Sequence, residues 1–323
     1  MLMERRSDTA LYALPFESNR RRCWLGSPTG LCMVDHIDWF KSRSSAATDS
    51  AAMALSMQIT HLGSGSRGNA TLVRTDETLA LIDCGFSARQ IDRRLVMMGV
   101  DAVDLDAIAI THHHSDHGRS AARARRLWDC DLHANLTTAT ALSLDPVNEC
   151  RCFTALERVE LGPDLSLLPI PVPHDGAENV GFIVSNGAGE RAAFVTDLGD
   201  ATEELLQHLR GCAHISIESN YDVERLMNGP YPAPLKQRIA GRGGHLSNRQ
   251  TAGILESVVS DSLHSIVLCH LSEKNNAPHL AESESLIRID QEFDGDLRIS
   301  QQHGPEFSHW LGDGVAERLT LLQ

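Results

Sequence analysis

The sequence predicts an α/β fold, and three observations carry that prediction. Short apolar runs recur at residues 107–110, 167–173, 192–196 and 266–269, and each leads into a His or an Asp. Runs of that length, bounded by polar clusters, read as buried strands rather than helices. Between them stand helix starts: Ser87-Ala88-Arg89-Gln90 and Ser247-Asn248-Arg249-Gln250 are capping boxes, in which the Ser and Gln side chains satisfy free backbone donors of the first turn. With 323 residues, 42% of them hydrophobic and 22% charged, the chain can also bury a full core.

Composition narrows the function classes. A formal charge of −14 argues against a nucleic-acid coat protein, though not against a local basic channel. The eight cysteines show no paired C-x-x-C spacing and read as reduced thiols of a cytoplasmic protein. No apolar run reaches the roughly 18 residues that a membrane span needs, and no signal-peptide core follows Arg5 and Arg6.

Residues 1–56 differ from the rest. Arg20-Arg21-Arg22, scattered aromatics and a Ser/Ala/Thr-rich stretch predict a disordered extension, or a mis-assigned start with Met53 or Met57 as the true one. An interaction arm is the alternative. The catalytic domain is expected over residues 57–323.

Gly63-Ser64-Gly65-Ser66-Arg67-Gly68 spells G-x-G-x-x-G, but a dinucleotide site needs a helix next, and Asn69-Ala70-Thr71-Leu72-Val73 reads as a strand. The glycines therefore make a turn, and Ser64 and Asn69 become candidate substrate-binding donors. Residues 71–74 and 79–82 form a hairpin around Asp76-Glu77. Asp83 follows, either supporting a metal-binding histidine or simply forming a turn. The Ser87 cap opens a helix that turns Ile91, Leu95 and Met98 inward and stops at Gly99.

Residues 107–110 lead into Thr111-His112-His113-His114-Ser115-Asp116-His117, or H-x-H-x-D-H. Histidines two apart at a strand end point the same way, so His112 and His114 can grip one ion. Asp116 and His117 are offered to a second. Neutral imidazole with carboxylate suits zinc, and also manganese or iron. Beyond the motif, Arg119, Arg123 and Arg126 share a helix face, either solvated or facing phosphate.

Residues 130–165 are weakly patterned, and Cys150-Arg151-Cys152 lacks partners at ligand spacing. A hairpin spans residues 180–195, a helix lies near 202–209, and a strand over 214–217 ends at Glu218. Residues 230–244 read as a Pro/Gly-rich loop with a basic face, Lys236, Arg238 and Arg242, which are candidate phosphate contacts. His245 and the helix opened by Ser247 follow. From His279 a helix, a strand near 297–300 and an amphipathic turn complete the chain.

The strings LGSGSRGNA, LIDCGFSARQI, THHHSDH, PHDGAENVGF, VTDLGD, IESNYD, GPYPAPLKQRI, GHLSN and CHLSEKNN, over about residues 62–278, resemble the YycJ/WalJ-type branch of the metallo-β-lactamase fold. His113 stands where the branch usually has Glu, and Tyr221 where it often has His. The resemblance implies a four-layer αββα sandwich. It also implies two divalent ions: His112, His114 and His174 on one, Asp116, His117 and His270 on the other, and Asp197 bridging. The activity it implies is a cytosolic DNA exonuclease that attacks with a hydroxide made at the ions, distantly like the tRNA 3′-processing nucleases. Asp116 counts as catalytic as well as ligating, and Glu218 with His245 resembles the pair that protonates the leaving oxygen in those nucleases. Alternatively, His245 only orders the glycine loop. The rival functions are an ester, thioester or lactone hydrolase of the same fold, marked by an apolar pocket, and a non-catalytic metal-bound regulator, marked by an incomplete ligand set.

Overall fold

A computed structural model describes residues 57–175, 178–305 and 307–311. The expectations for residues 1–56 and for the last turn, 312–323, lie outside the described residues. The first sheet takes β1 (Met57–Gly63), β2 (Ala70–Arg74), β3 (Leu79–Ile82), β4 (Ala107–Ala109), β5 (Asp131–Asn135) and β6 (Arg151–Phe153). The second takes β7 (Val159–Glu160), β8 (Leu165–Val172), β9 (Asn179–Asn186), β10 (Arg191–Val195), β11 (His214–Glu218), β12 (Ser265–Cys269) and β13 (Asp296–Ile299). A last strand, β14 (His309–Leu311), returns to pair with β1 and extends the first sheet. Each sheet is antiparallel at one side and becomes parallel toward the other, through β3–β6 in the first and β10–β13 in the second.

Three apolar clusters stack as the layers demand. Residues alternate along a strand, so each strand feeds two of them. On β3, Leu81 faces outward to α1 (Ala88–Met97) and α3 (Ala121–Trp128), while Ala80 and Ile82 face the other sheet. On β10, Ala193 and Val195 pack outward toward α5 (Glu203–Leu209) and α8 (Asn248–Val258), and Ala192 and Phe194 face inward. The inner cluster joins Ile59, Val73 and Ile82 of one sheet to Leu167, Phe182 and Phe194 of the other. Helices outside, two sheets inside: this is the αββα sandwich.

The remaining helices are short: α2 (Ser115–Gly118) in the metal motif, α4 (Leu136–Ala141), α6 (Val223–Asn228) and α7 (Ala233–Ile239), before the longer α9 (Pro278–Ile289). Both capping boxes form, with Ser87 and Ser247 accepting from the backbone N–H of Gln90 and Gln250. Residues 233–239, expected as loop, are helix. Pro234 sits in the first turn, where its missing N–H costs nothing, so proline starts this helix instead of preventing it. The weakly patterned region holds β5, α4, β6 and β7.

Candidate metal centre

Strands β8, β10, β11 and β12 run in one direction, and their carboxyl ends meet those of β3 and β4 at one edge of the sandwich. They deliver the functional residues at their ends or in the turns that follow. Asp83, Asp175, Asp197 and His270 adopt φ values of 62°, 44°, 56° and 54° there. Non-glycine residues in the left-handed region are uncommon, and such strain concentrates at sites that need a fixed side-chain aim. α2 is seated by its backbone: Asn69 N–H donates to the Asp116 carbonyl at 2.8 Å and Cys84 N–H to that of His117 at 2.6 Å. The approach is so close that a Cβ on Gly85 would lie 1.7 Å from the Asp116 oxygen. Only glycine fits there.

Two groups of donors converge. In the first, His114 Nδ1 lies 3.1 Å from His112 Nε2 and 3.3 Å from His174 Nε2. In the second, His117 Nε2 faces Asp197 Oδ2 at 2.6 Å, and His270 Nε2 faces Asp116 Oδ2 at 3.3 Å. Asp197 stands between the groups, its oxygens 3.8 Å from His112 Nε2, 3.8 Å from His174 Nε2 and 3.7 Å from His270 Nδ1. All seven predicted ligands thus fall in clusters whose donor atoms lie within metal-binding reach of one another.

The outer hydrogen bonds fix which ring nitrogens face inward. His174 Nδ1 donates to the Gly244 carbonyl at 2.9 Å, His117 Nδ1 to Asp83 Oδ2 at 2.6 Å and His270 Nδ1 to Glu218 Oε1 at 2.9 Å. Each of these rings therefore turns an Nε2 lone pair to the centre. His114 is reversed, with Nε2 3.4 Å from Asp175 Oδ2 and Nδ1 facing inward. Lone pairs aimed at one another, around a buried Asp197 Oδ2 that has no aligned hydrogen-bond donor, are what cations would resolve. The carboxylates also draw positive charge into this site, as protons on the rings where no cation is bound. Burial works against charge on His117, yet the Asp83 and Asp197 carboxylates push its pKa up to about 10. Burial also works against ionised Asp197, but His270 and His117 hold it well below the usual carboxylate range. The donor set, nitrogen and oxygen atoms together, fits divalent metal ions.

Glu218 is fully buried, and its Oε1 lies 2.7 Å from His245 Nδ1 as well as 2.9 Å from His270. Its other oxygen accepts from the backbone N–H of Leu198 at 3.1 Å and Leu246 at 3.3 Å. It is held on all sides. His245 borders the cavity in front of the ligands. Burial opposes its protonation, but Glu218 outweighs burial and holds its pKa above the ordinary value.

The other predicted contacts divide. Arg238 lines the cavity and pairs with Asp175 at 2.9 Å. Lys236 instead donates to the Met227 carbonyl at 2.6 Å, and Arg242 pairs with Asp200 at 3.4 Å; neither borders the cavity. Ser64 and Asn69 are buried, and neither lines the cavity in front of the ligands. Ser64 Oγ accepts from the His270 backbone at 2.9 Å, and Asn69 Nδ2 lies 3.0 Å from His117 Nε2. Sequence could name their polarity but not which way they face. Asp83 is a support: it accepts from Thr111 N–H at 2.9 Å besides holding His117. Asp175 was missed, although it directly follows His174. Arg125 and Arg126 bind the 145–149 segment, and Arg119 donates to the Arg67 carbonyl. Tyr221 is buried and forms a bridge with Ser247. Cys150 and Cys152 join no donor cluster among the described residues.

Residues 78–270 match the β-lactamase superfamily domain. An exodeoxyribonuclease, YycJ of Bacillus anthracis, is 32% identical over 224 residues, which cover 68% of this chain and 84% of that protein. Exodeoxyribonuclease WalJ of Streptococcus pneumoniae is 31% identical over 235 residues, covering 71% and 87%. Among solved structures, the metallo-β-lactamase fold protein YhfI of Bacillus subtilis superposes with a TM-score of 0.59 at 14% identity, covering 76% of this chain and 97% of that one. Human tRNase Z, short form, gives 0.52 at 15%, covering 80% and 100%. At those identities the superpositions speak for the fold alone. No described helix is long and apolar enough to cross a membrane. The ends of six strands, a paired set of nitrogen and oxygen donors and these relatives agree: the chain is a hydrolase of the metallo-β-lactamase superfamily, in its YycJ/WalJ branch.

Proposed function

We propose that this hydrolase is a two-metal phosphodiesterase that degrades DNA from an end. The observation that carries the reading is the Glu218–His245 pair at 2.7 Å beside the donor cluster. Activating water would serve any hydrolase of this fold. An alkoxide leaving group such as a sugar oxygen also needs a proton, and His245 is the ring placed to give one. DNA is favoured over RNA because the relatives that share two thirds of the chain are exodeoxyribonucleases, whereas the Mycobacterium ribonuclease Z likeness covers 19% of it.

His112, His114 and His174 would hold one ion, Asp116, His117 and His270 the other, and Asp197 both. When bound, such ions lower the pKa of water and offset phosphate charge. The chain's own residues do the rest. Asp83, Glu218, Asp175 and the Gly244 carbonyl fix the ring orientations. Asp116 presents its carboxylate at the cavity wall, Arg238 offers a guanidinium to a backbone phosphate, and Glu218 keeps the His245 proton available for the departing oxygen. Lys236 and Arg242, tied elsewhere, belong to the approach surface.

The test is incubation of zinc- or manganese-reconstituted protein with end-labelled single- and double-stranded DNA and RNA. Stepwise shortening of DNA is expected. Intact nucleic acid alongside rapid hydrolysis of a lactone or thioester would transfer the assignment to the small-molecule branch.

A further inference from the structure

The cavity before the metal donors has a volume of ≈ 260 Å³, room for a nucleoside-sized group and not for a duplex. One wall is the donor cluster. α7 also lines the cavity, contributing Leu235, Arg238 and Ile239, positions that share one helix face. α7 has no buried residue, and Leu235 is 38% exposed. These aliphatic side chains therefore do not serve the core. They also do not serve a phosphate, whose oxygens call for cations or hydrogen-bond donors.

The wall is fixed in place. His245 N–H donates to the Ile239 carbonyl at 2.8 Å, and Asp175 N–H to the Gly243 carbonyl at 3.0 Å. His174 Nδ1 donates to the Gly244 carbonyl at 2.9 Å. The segment leaving α7 is thus stitched to a metal-binding histidine and to the proton donor, so the apolar face stands at a set distance from the chemistry. Arg238 sits between Leu235 and Ile239 on that face. Asp175 engages one of its terminal nitrogens, leaving other N–H groups for an anion.

We infer that Leu235 and Ile239 form the seat for the base of the terminal nucleotide, with Arg238 on a flanking phosphate, so that the enzyme recognises an end by enclosing its last base. The inference rests on the nuclease reading above and assigns its specificity. Every base has an apolar face, so such a seat accepts all sequences and rejects an end that lacks a base. It also explains why one short helix carries both aliphatic and basic side chains toward the metals.

The test compares two oligonucleotides with the reconstituted enzyme: one with normal termini, one with an abasic tetrahydrofuran residue at the 5′ or 3′ terminus. The wild type should favour the base-bearing end by about tenfold in kcat/KM, the usual discrimination of a small apolar contact. Leu235→Ala with Ile239→Ala should bring that ratio toward one, chiefly through KM, and Leu235→Met should keep it. Metal content by elemental analysis should match the wild type in both variants. A ratio that stays the same in the double variant overturns the base seat while leaving the nuclease assignment standing. A wild type that shortens no oligonucleotide overturns both.

Discussion

Two groups of buried histidines occupy this sandwich, and their surroundings send them in opposite directions. At the strand ends, His117 and His270 face carboxylates. Burial opposes their charge, but Asp83 and Asp197 push His117 up to about 10, and Asp197 with Asp116 raises His270 well above its ordinary value. Deeper between the sheets, His61 and His214 face hydroxyls. His61 Nδ1 lies 3.1 Å from Thr71 Oγ1 and its Nε2 2.8 Å from Ser216 Oγ; that oxygen is 2.7 Å from His214 Nε2, and His214 Nδ1 is 2.7 Å from Ser265 Oγ. Here burial, helped by His309, lowers His61 to about 3 and takes His214 well down too. A hydroxyl can accept from one ring and donate to the next, so this group is satisfied as neutral molecules. The first group is not. A histidine cluster becomes a metal site when carboxylates enter it and lone pairs meet without hydrogens between them.

Removing the central carboxylate should therefore have the largest effect. Wild-type protein should carry close to two divalent ions per chain by elemental analysis. Asp197→Ala should lose at least one of them, and nuclease activity with it. A fully loaded, active Asp197→Ala protein would sink the bridging assignment. The next effect should be smaller and selective. His245→Ala should slow cleavage of DNA by roughly 10²–10⁴-fold, the usual worth of a general acid. It should spare a nitrophenyl phosphodiester, whose leaving group departs without a proton. Equal losses on both substrates, with metals retained, would take His245 out of the acid role.

The contrast between the two groups also explains what was legible in the chain. His112, His114, Asp116 and His117 lie within six consecutive residues, so spacing alone displays them. His174, Asp197 and His270 each follow an apolar strand, and only the order of those strands, through the resemblance, links them. Glu218 and His245 could be paired the same way. Orientation could not be read: Ser64 and Asn69 have the chemistry of substrate donors, but their polar atoms contact the His270 backbone and the His117 ring and do not line the cavity. α7 was hidden by prolines that permit a first turn as readily as a loop. β6, β7 and β14 are edge or near-edge strands of two or three residues, too short for an alternating pattern to show. The His61–His214 group belongs to no motif, because its partners come from four separate strands.

That inner group supplies the smallest expected effect. A histidine buried neutral binds fewer protons in the folded chain than in the unfolded one whenever the pH is below about 6.5, its unfolded pKa. For His61, whose folded pKa is about 3, the resulting stability is fully present above pH 6.5 and is lost progressively as pH falls toward 3. His309, lowered to about 4 by burial against the pull of Asp296, adds to the same window. Loss of metals and protonation of carboxylates will destabilise the protein over part of that range, so the comparison must be between variants. His61→Asn should be less stable than wild type at pH 8, because it forfeits the bonds to Thr71 and Ser216. Its deficit should shrink steadily between pH 6.5 and 4, since the variant has no ring to leave uncharged. Urea unfolding of both proteins at matched pH, each with and without chelator, measures that gap. A gap independent of pH would mean that His61 is not held neutral, and the division between the two groups would have to rest on geometry alone.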